Sequence, residues 1–214
     1  MDSQSEIAIG NTVVRRGGRV WVGNVPNVEG GLKQLGLHPD SRGRYELRDH
    51  NRELLKATKF QPFSIQATIA ETQLLNRSGL RQAEGAFGED SLFSLQMLYA
   101  AHTVSFVRNS IFVYNAEVPG SAVNSVSLRF FEKSYLAEKE QVNWLEELGL
   151  KRDYAVRRFM KMLNVWYLQK IDELLPGEKS GGLEIIHSIA ELYGQDVTQD
   201  HAYREAMETA GFEI

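Results

Sequence analysis

The chain has 214 residues, with 24 Lys and Arg against 28 Asp and Glu and a formal net charge of −4. That balance argues against a general nucleic-acid binder while leaving room for a local basic groove. With 43% hydrophobic residues, 24% charged residues and no cysteine, it reads as a soluble chain able to bury a sizeable core, without a disulfide framework or a thiolate metal site.

In chain order, the opening Met1-Asp2-Ser3-Gln4-Ser5-Glu6 has neither a basic nor an apolar leader pattern. No apolar run approaches the roughly 20 residues that a bilayer span needs, so a cytoplasmic location is expected. Residues 5–25 predict a hairpin. Thr12-Val13-Val14-Arg15-Arg16 meets Arg19-Val20-Trp21-Val22 across Gly17-Gly18, and a Gly-Gly pair between β-rich runs is a strong turn signal. Residues 26–44 are rich in Gly, Pro, Asn and Asp and read as loop with one short helix. A helix is expected over 49–58, an extended stretch over 62–69, and a short helix over 71–77 that stops at Ser78-Gly79. The next helix spans about 89–101. Thr103–Val107 and Ile111–Tyr114 predict two short strands separated by Arg108-Asn109-Ser110. From Leu128 onward helical spacing dominates, over 128–148, 153–175, 183–193 and 200–210, punctuated by Gly149, Pro176-Gly177 and Gly194. The expected architecture is a mixed α/β part at 1–127 followed by a helical part at 128–214. So few strands beside so many helices leave a sheet edge or face in need of cover.

Residues 85–93, Gly-Ala-Phe-Gly-Glu-Asp-Ser-Leu-Phe, carry the clearest chemistry. A flexible segment ending at Gly88 delivers two adjacent carboxylates, Glu89 and Asp90, at the start of an apolar helical run. Acids in a first turn face the positive end of the helix dipole, and a carboxylate at a loop-to-helix junction is well placed as a general base. An acid before an apolar run is also an ordinary helix start. The five histidines, His38, His50, His102, His187 and His201, show no pairing at metal-ligand spacing. His102 reads as a helix C-terminal residue. There is no Gly-rich phosphate loop and no Gly-x-Ser-x-Gly elbow. Arg152, Arg157, Arg158, Lys161 and Lys170 interleave with Trp144, Phe159, Trp166 and Tyr167. That pattern fits a phosphate or membrane-surface patch, or a solvated helix face over an aromatic core stripe, with acids nearby diluting the field.

The run Asn76-Arg77-Ser78-Gly79-Leu80, then Glu84 to Phe93, then Ala100-Ala101, Val104–Val107, Phe112-Val113-Tyr114 and Gly120-Ser121 with Asn124-Ser125 resembles the acceptor-side half of family 2 glycosyltransferases of the GT-A fold. Ser5 to Asn11 resembles the strand that follows that family's nucleotide-sugar half. The resemblance covers roughly residues 5–127, and the helical remainder is similar to the accessory tail of many bacterial members.

The resemblance implies that Asp90 is the base that deprotonates an acceptor hydroxyl, which then attacks the anomeric carbon of a nucleotide-activated sugar with inversion. It implies that Gly88 and Glu89 hold the loop or an acceptor hydroxyl and that Ser121 lies near the substrates. The partners implied are a nucleotide-sugar donor and a glycan acceptor of a bacterial surface glycan, with no nucleic acid and with room for peripheral contact at the inner face of the membrane. The family's nucleotide-binding half, with its Asp-x-Asp metal motif, normally precedes the position of Ser5, and no Asp-x-Asp occurs in this chain. The expectation is therefore an acceptor-side fragment, inactive by itself. No cofactor is expected in this chain, and a divalent cation, Mg or Mn, only in a complete enzyme. Tyr114 is followed by Asn115 where the family often has arginine, and the Gln-x-x-Arg-Trp signature of processive synthases is absent. The alternatives are a non-catalytic module that binds a glycan or a protein, and a helical scaffold in which Gly-Glu-Asp is incidental. A sheet missing half its strands also predicts self-association, through Ile7, Ile9, Val13, Val20 and Trp21 and the stretch Phe63–Ile69.

Overall fold

Gly17 and Gly18 turn the chain with φ of 55° and 71°, a left-handed pair that matches the twist of a two-residue hairpin. On either side run β1, Ile7–Arg16, and β2, Arg19–Gly23, antiparallel from Thr12↔Gly23 to Arg16↔Arg19. The expected hairpin is present. The computed structural model describes residues 5–118, 120–121 and 124–212. The chain divides into two compact units, Met1–Gln82 with Asp90–Val118 and Ala83–Glu89 with Pro119–Ile214. The first is a mixed α/β unit and the second is helical.

The sheet of the first unit has the order β2-β1-β5-β3, with β4 pairing β1 beside β2. Here β3 is Arg44–Glu46, β4 is Thr68–Ala70 and β5 is Thr103–Asn115. β5 runs parallel to β1, and the other pairings are antiparallel. In place of the two short strands expected at 103–107 and 111–114 stands one strand of 13 residues. Arg108, Asn109 and Ser110 do not break it, because the register against β1 shifts on either side of Asn11 and absorbs the extra residues as bulges. The Asn11 side chain fastens this irregularity. It is 8% exposed, its Nδ2 donates to the Arg108 carbonyl at 2.8 Å, and its Oδ1 accepts from the Val25 N–H at 3.3 Å.

The Gly- and Pro-rich stretch read as mostly loop holds α1, Val25–Gln34, and the three-residue strand β3. Pro26 sits in the first turn, where a missing N–H costs nothing. Gly31 lets α1 approach α2, Asn51–Ala57, closely, since a Cβ there would lie 2.8 Å from Thr58 Cγ2. The extended stretch expected at 62–69 is extended only at its end, in β4, after a tight turn over Ile65–Ala67. α3, Thr72–Ser78, and α4, Glu89–Ala100, lie where expected. Ile7, Ile9, Val28, Leu32, Leu54, Leu55, Leu74, Leu95, Leu98 and Val104 are buried. The apolar exposure foreseen for Ile7, Ile9 and Phe63 is therefore absent: β4 and β5 flank the first half of β1, which is buried. Large apolar residues are exposed instead at Val20, Trp21 and Val22, along β5 at Val107, Ile111, Val113 and Tyr114, and at Ile69 and Val118.

In the helical unit, α5, Leu128–Glu147, packs along α8, Lys179–Tyr193. The run between them starts as α6, Lys151–Tyr154, and widens into π turns at Ala155–Phe159. After α7, Met160–Met162, it widens again at Leu163–Tyr167, then tightens into 3₁₀ turns at Leu168–Glu173. α9, Gln195–Thr198, and α10, His201–Thr209, close the chain, and Asp200 caps α10 by accepting the Tyr203 N–H. Phe131, Leu145, Phe159, Leu163, Ile186, Ile189, Tyr203 and Met207 form the core. No helix among the described residues is long and apolar enough to cross a membrane.

Candidate functional site

Gly88, with φ of 83°, redirects the chain into α4. Two residues later, in the first turn, half-buried Asp90 lines a cleft of about 400 Å³ in the sheet unit. The other walls come from Thr12, Val14, Gly23, Asn24, Ser64, Gln66, Phe112 and Tyr114. The register explains their convergence. Thr12 pairs with Phe112 and Val14 with Tyr114, so alternation places all four on one face of the sheet. Trp21 is cross-strand to Val14 and extends that row.

Asn24 ties the cleft together. It sits at φ 79° and ψ −81°, a conformation rare for a residue with a side chain. Its Nδ2 donates to the Gly10 carbonyl at 3.1 Å and to Thr12 Oγ1 at 2.9 Å, while its Oδ1 accepts the Ser64 N–H at 3.1 Å. Ser64 Oγ donates to Gln66 Oε1 at 2.7 Å. The cleft is thus lined by one carboxylate, two amides and hydroxyls beside two aromatic rings. Asp90 is the one carboxylate of this lining, which does not supply the several hard oxygen ligands of a divalent cation site. Among the described residues no group of three or more His, Asp or Glu gathers to hold a metal.

The other residues singled out by sequence fall elsewhere. Gly88, Glu89 and Ser121 belong to the helical unit, while Asp90 belongs to the sheet unit. Ser121 is half-buried, and its Oγ has no hydrogen-bond partner among the described residues. Asn24, Ser64 and Gln66 carry no motif and were not foreseen. The alternation of Phe112 and Tyr114 in a β-rich run was the one available hint of the aromatic wall.

A second hollow of the sheet unit, about 690 Å³, is lined by Arg48, Asp49, Asn51, Arg52, Tyr99, Ala100 and His102. Two of its residues serve structure. Asn51 Nδ2 caps the end of α4 by donating to the Leu98 and Ala101 carbonyls at 3.1 and 2.7 Å. The His102 N–H donates to Glu6 Oε2 at 2.6 Å, and Arg77 grips the same carboxylate at 2.7 and 2.9 Å. Burial pushes the Glu6 carboxyl up, but the Arg77 and His102 hydrogen bonds outweigh it and leave the group below the ordinary range.

The helical unit buries one carboxylate. Glu138 accepts hydrogen bonds from Tyr167 Oη at 2.7 Å and from Tyr193 Oη. Burial raises its pKa, against the pull of both hydroxyls and of Arg158. Three cations of the basic run meet acids: Arg152 pairs Asp196 at 3.0 Å, Arg157 pairs Asp153 at 3.4 Å and Lys170 pairs Glu173 at 3.5 Å. Compared with protein-family models, with curated proteins and with solved structures, the chain matches none of them.

Proposed function

We propose that the Asp90 cleft binds a sugar hydroxyl and that Asp90 is the general base of an inverting, nucleotide-sugar-dependent glycosyl transfer. In this reading the chain contributes the acceptor side of the reaction. The observation that supports it is the lining of the cleft. A carboxylate at a helix start stands with amide and hydroxyl groups and with the rings of Phe112 and Tyr114, a combination suited to a ligand that is polar at its edges and apolar on its faces. Asp90 accepts the hydroxyl proton while the oxygen forms a bond to the anomeric carbon, and the nucleoside diphosphate leaves with the electrons of the broken bond. The donor site is the task of the nucleotide-binding half of the family that this chain resembles, and a divalent cation would act there.

The test has two arms. Saturation-transfer NMR of the chain with a panel of oligosaccharides should show binding that Tyr114→Ala abolishes. Fused to a nucleotide-binding half, the chain should transfer sugar, and Asp90→Asn should cut transfer by about a hundredfold or more while binding persists. Binding without transfer in any fusion supports a non-catalytic glycan-binding module, and absence of both removes the glycan reading.

A further inference from the structure

We propose that the outer edge of β2 pairs with β2 of a second copy of this chain, antiparallel and centred on Trp21. β2 ends the sheet order β2-β1-β5-β3, with no strand beyond it among the described residues. Which of its backbone groups face outward follows from the hairpin turn. A two-residue turn makes Arg16↔Arg19 a hydrogen-bonded pair, so Val14↔Trp21 and Thr12↔Gly23 are bonded as well, and the pairs at Val20 and Val22 are not. The N–H and C=O groups of Val20 and Val22 therefore point away from β1. Their side chains are 64% and 48% exposed.

This edge is short but lightly protected. The five residues Arg19-Val20-Trp21-Val22-Gly23 contain no proline and no lysine, and their one charge, Arg19, sits at the turn end. They are also self-complementary. A two-fold axis at Trp21 sets each Val20 opposite the Val22 of the other copy, so all four outward groups on each strand meet partners and four main-chain hydrogen bonds form. The same axis sets Arg19 opposite Gly23, so no like charges face each other. Pairing centred on Arg19 would oppose two arginines, and a slip by one residue would set outward groups against inward ones. The strand thus favours a copy of itself over a generic extended peptide, and a symmetric contact of this kind closes as a dimer. The contact is small beside a standard interface, so the dimer depends on concentration. Because Trp21 shares a sheet face with Val14 and Tyr114, the dimer extends the cleft-side face of the sheet across both copies. The proposal stands independently of the glycan reading.

The test is sedimentation velocity of the purified chain from low-micromolar to submillimolar concentration. Wild type should shift from monomer to dimer. Val20→Lys with Val22→Lys opposes lysines at both pairs and should be monomeric, whereas Val20→Lys with Val22→Glu opposes unlike charges and should remain dimeric. Circular dichroism reports whether each variant folds. If the first double variant does not fold, Val20→Pro replaces it: it removes an outward N–H that β1 does not use, and should weaken the dimer at least tenfold. A wild type that stays monomeric throughout, two double variants in the same state, or a dimer indifferent to Val20→Pro overturns the proposal.

Discussion

Glu29 on α1 accepts both guanidinium Nη groups of Arg108 on β5, at 2.7 and 3.1 Å, and the Tyr45 hydroxyl at 3.1 Å. The helix is thereby fastened to the strand where β5 bulges against Asn11. The Arg108 hydrogen bonds hold the Glu29 carboxyl below the ordinary range, with burial opposing them and Tyr45 assisting. Because the folded-state value is depressed, the stabilisation is present above the unfolded value and is lost as pH falls through the folded one. We expect Arg108→Ala to lower the unfolding midpoint at neutral pH, and the gap to wild type to close in acid. Arg108 is mostly exposed, so the effect is modest. Thermal melts across the acid range check this, and a gap that stays constant with pH would rule out the pair as its cause.

Asp90→Asn should reduce transfer by about a hundredfold or more in a fusion that carries a nucleotide-binding half, as the loss of a general base does. The fold should be retained, because Asn is tolerated in a first turn and nearly matches Asp in volume. Turnover kinetics and a melt of the same sample separate the two effects. Turnover like wild type would remove Asp90 from the mechanism.

Asn24 is held in its unusual conformation by three hydrogen bonds. Asn24→Ala keeps the strain and loses the bonds, and should cost about 2 kcal/mol. Asn24→Gly relieves the strain and should cost less. Chemical denaturation ranks the two, and equal losses would mean that the backbone conformation contributes nothing.

The buried Glu138 behaves oppositely to Glu29. Its folded-state pKa is raised, chiefly by burial, so its contribution is fully present below the unfolded value near 4.5 and is lost as pH rises through the folded one. Glu138→Gln should flatten that decline and keep an acceptor for Tyr167 or Tyr193. Glu138→Ala leaves both hydroxyls buried without their acceptor and should cost about 2 kcal/mol or more. Urea titrations over the acid-to-neutral range decide this, and an unchanged pH profile in the Gln variant would count against it.

Some of this architecture is legible in the residues themselves, wherever the chemistry is local. Gly17-Gly18 specifies a hairpin because glycine takes up the positive φ that two-residue hairpin turns favour. Gly88 followed by two acids and an apolar run specifies the start of α4 at Glu89, and it singles out Asp90. Leu128 onward reads as helix because apolar residues recur at helical spacing.

The rest needed partners distant in sequence. β3 is a strand because Arg44–Glu46 finds Thr103–Ser105. β5 is continuous because β1 absorbs its extra residues and Asn11 and Glu29 satisfy Arg108. α1 is a helix despite its glycines because α2 accepts the close approach at Gly31. The cleft shows the same division. Asp90 could be named from the sequence by its neighbours, but Asn24, Ser64, Gln66 and Tyr114 reach it from separate stretches of chain, and strand register and a strained asparagine decide that convergence.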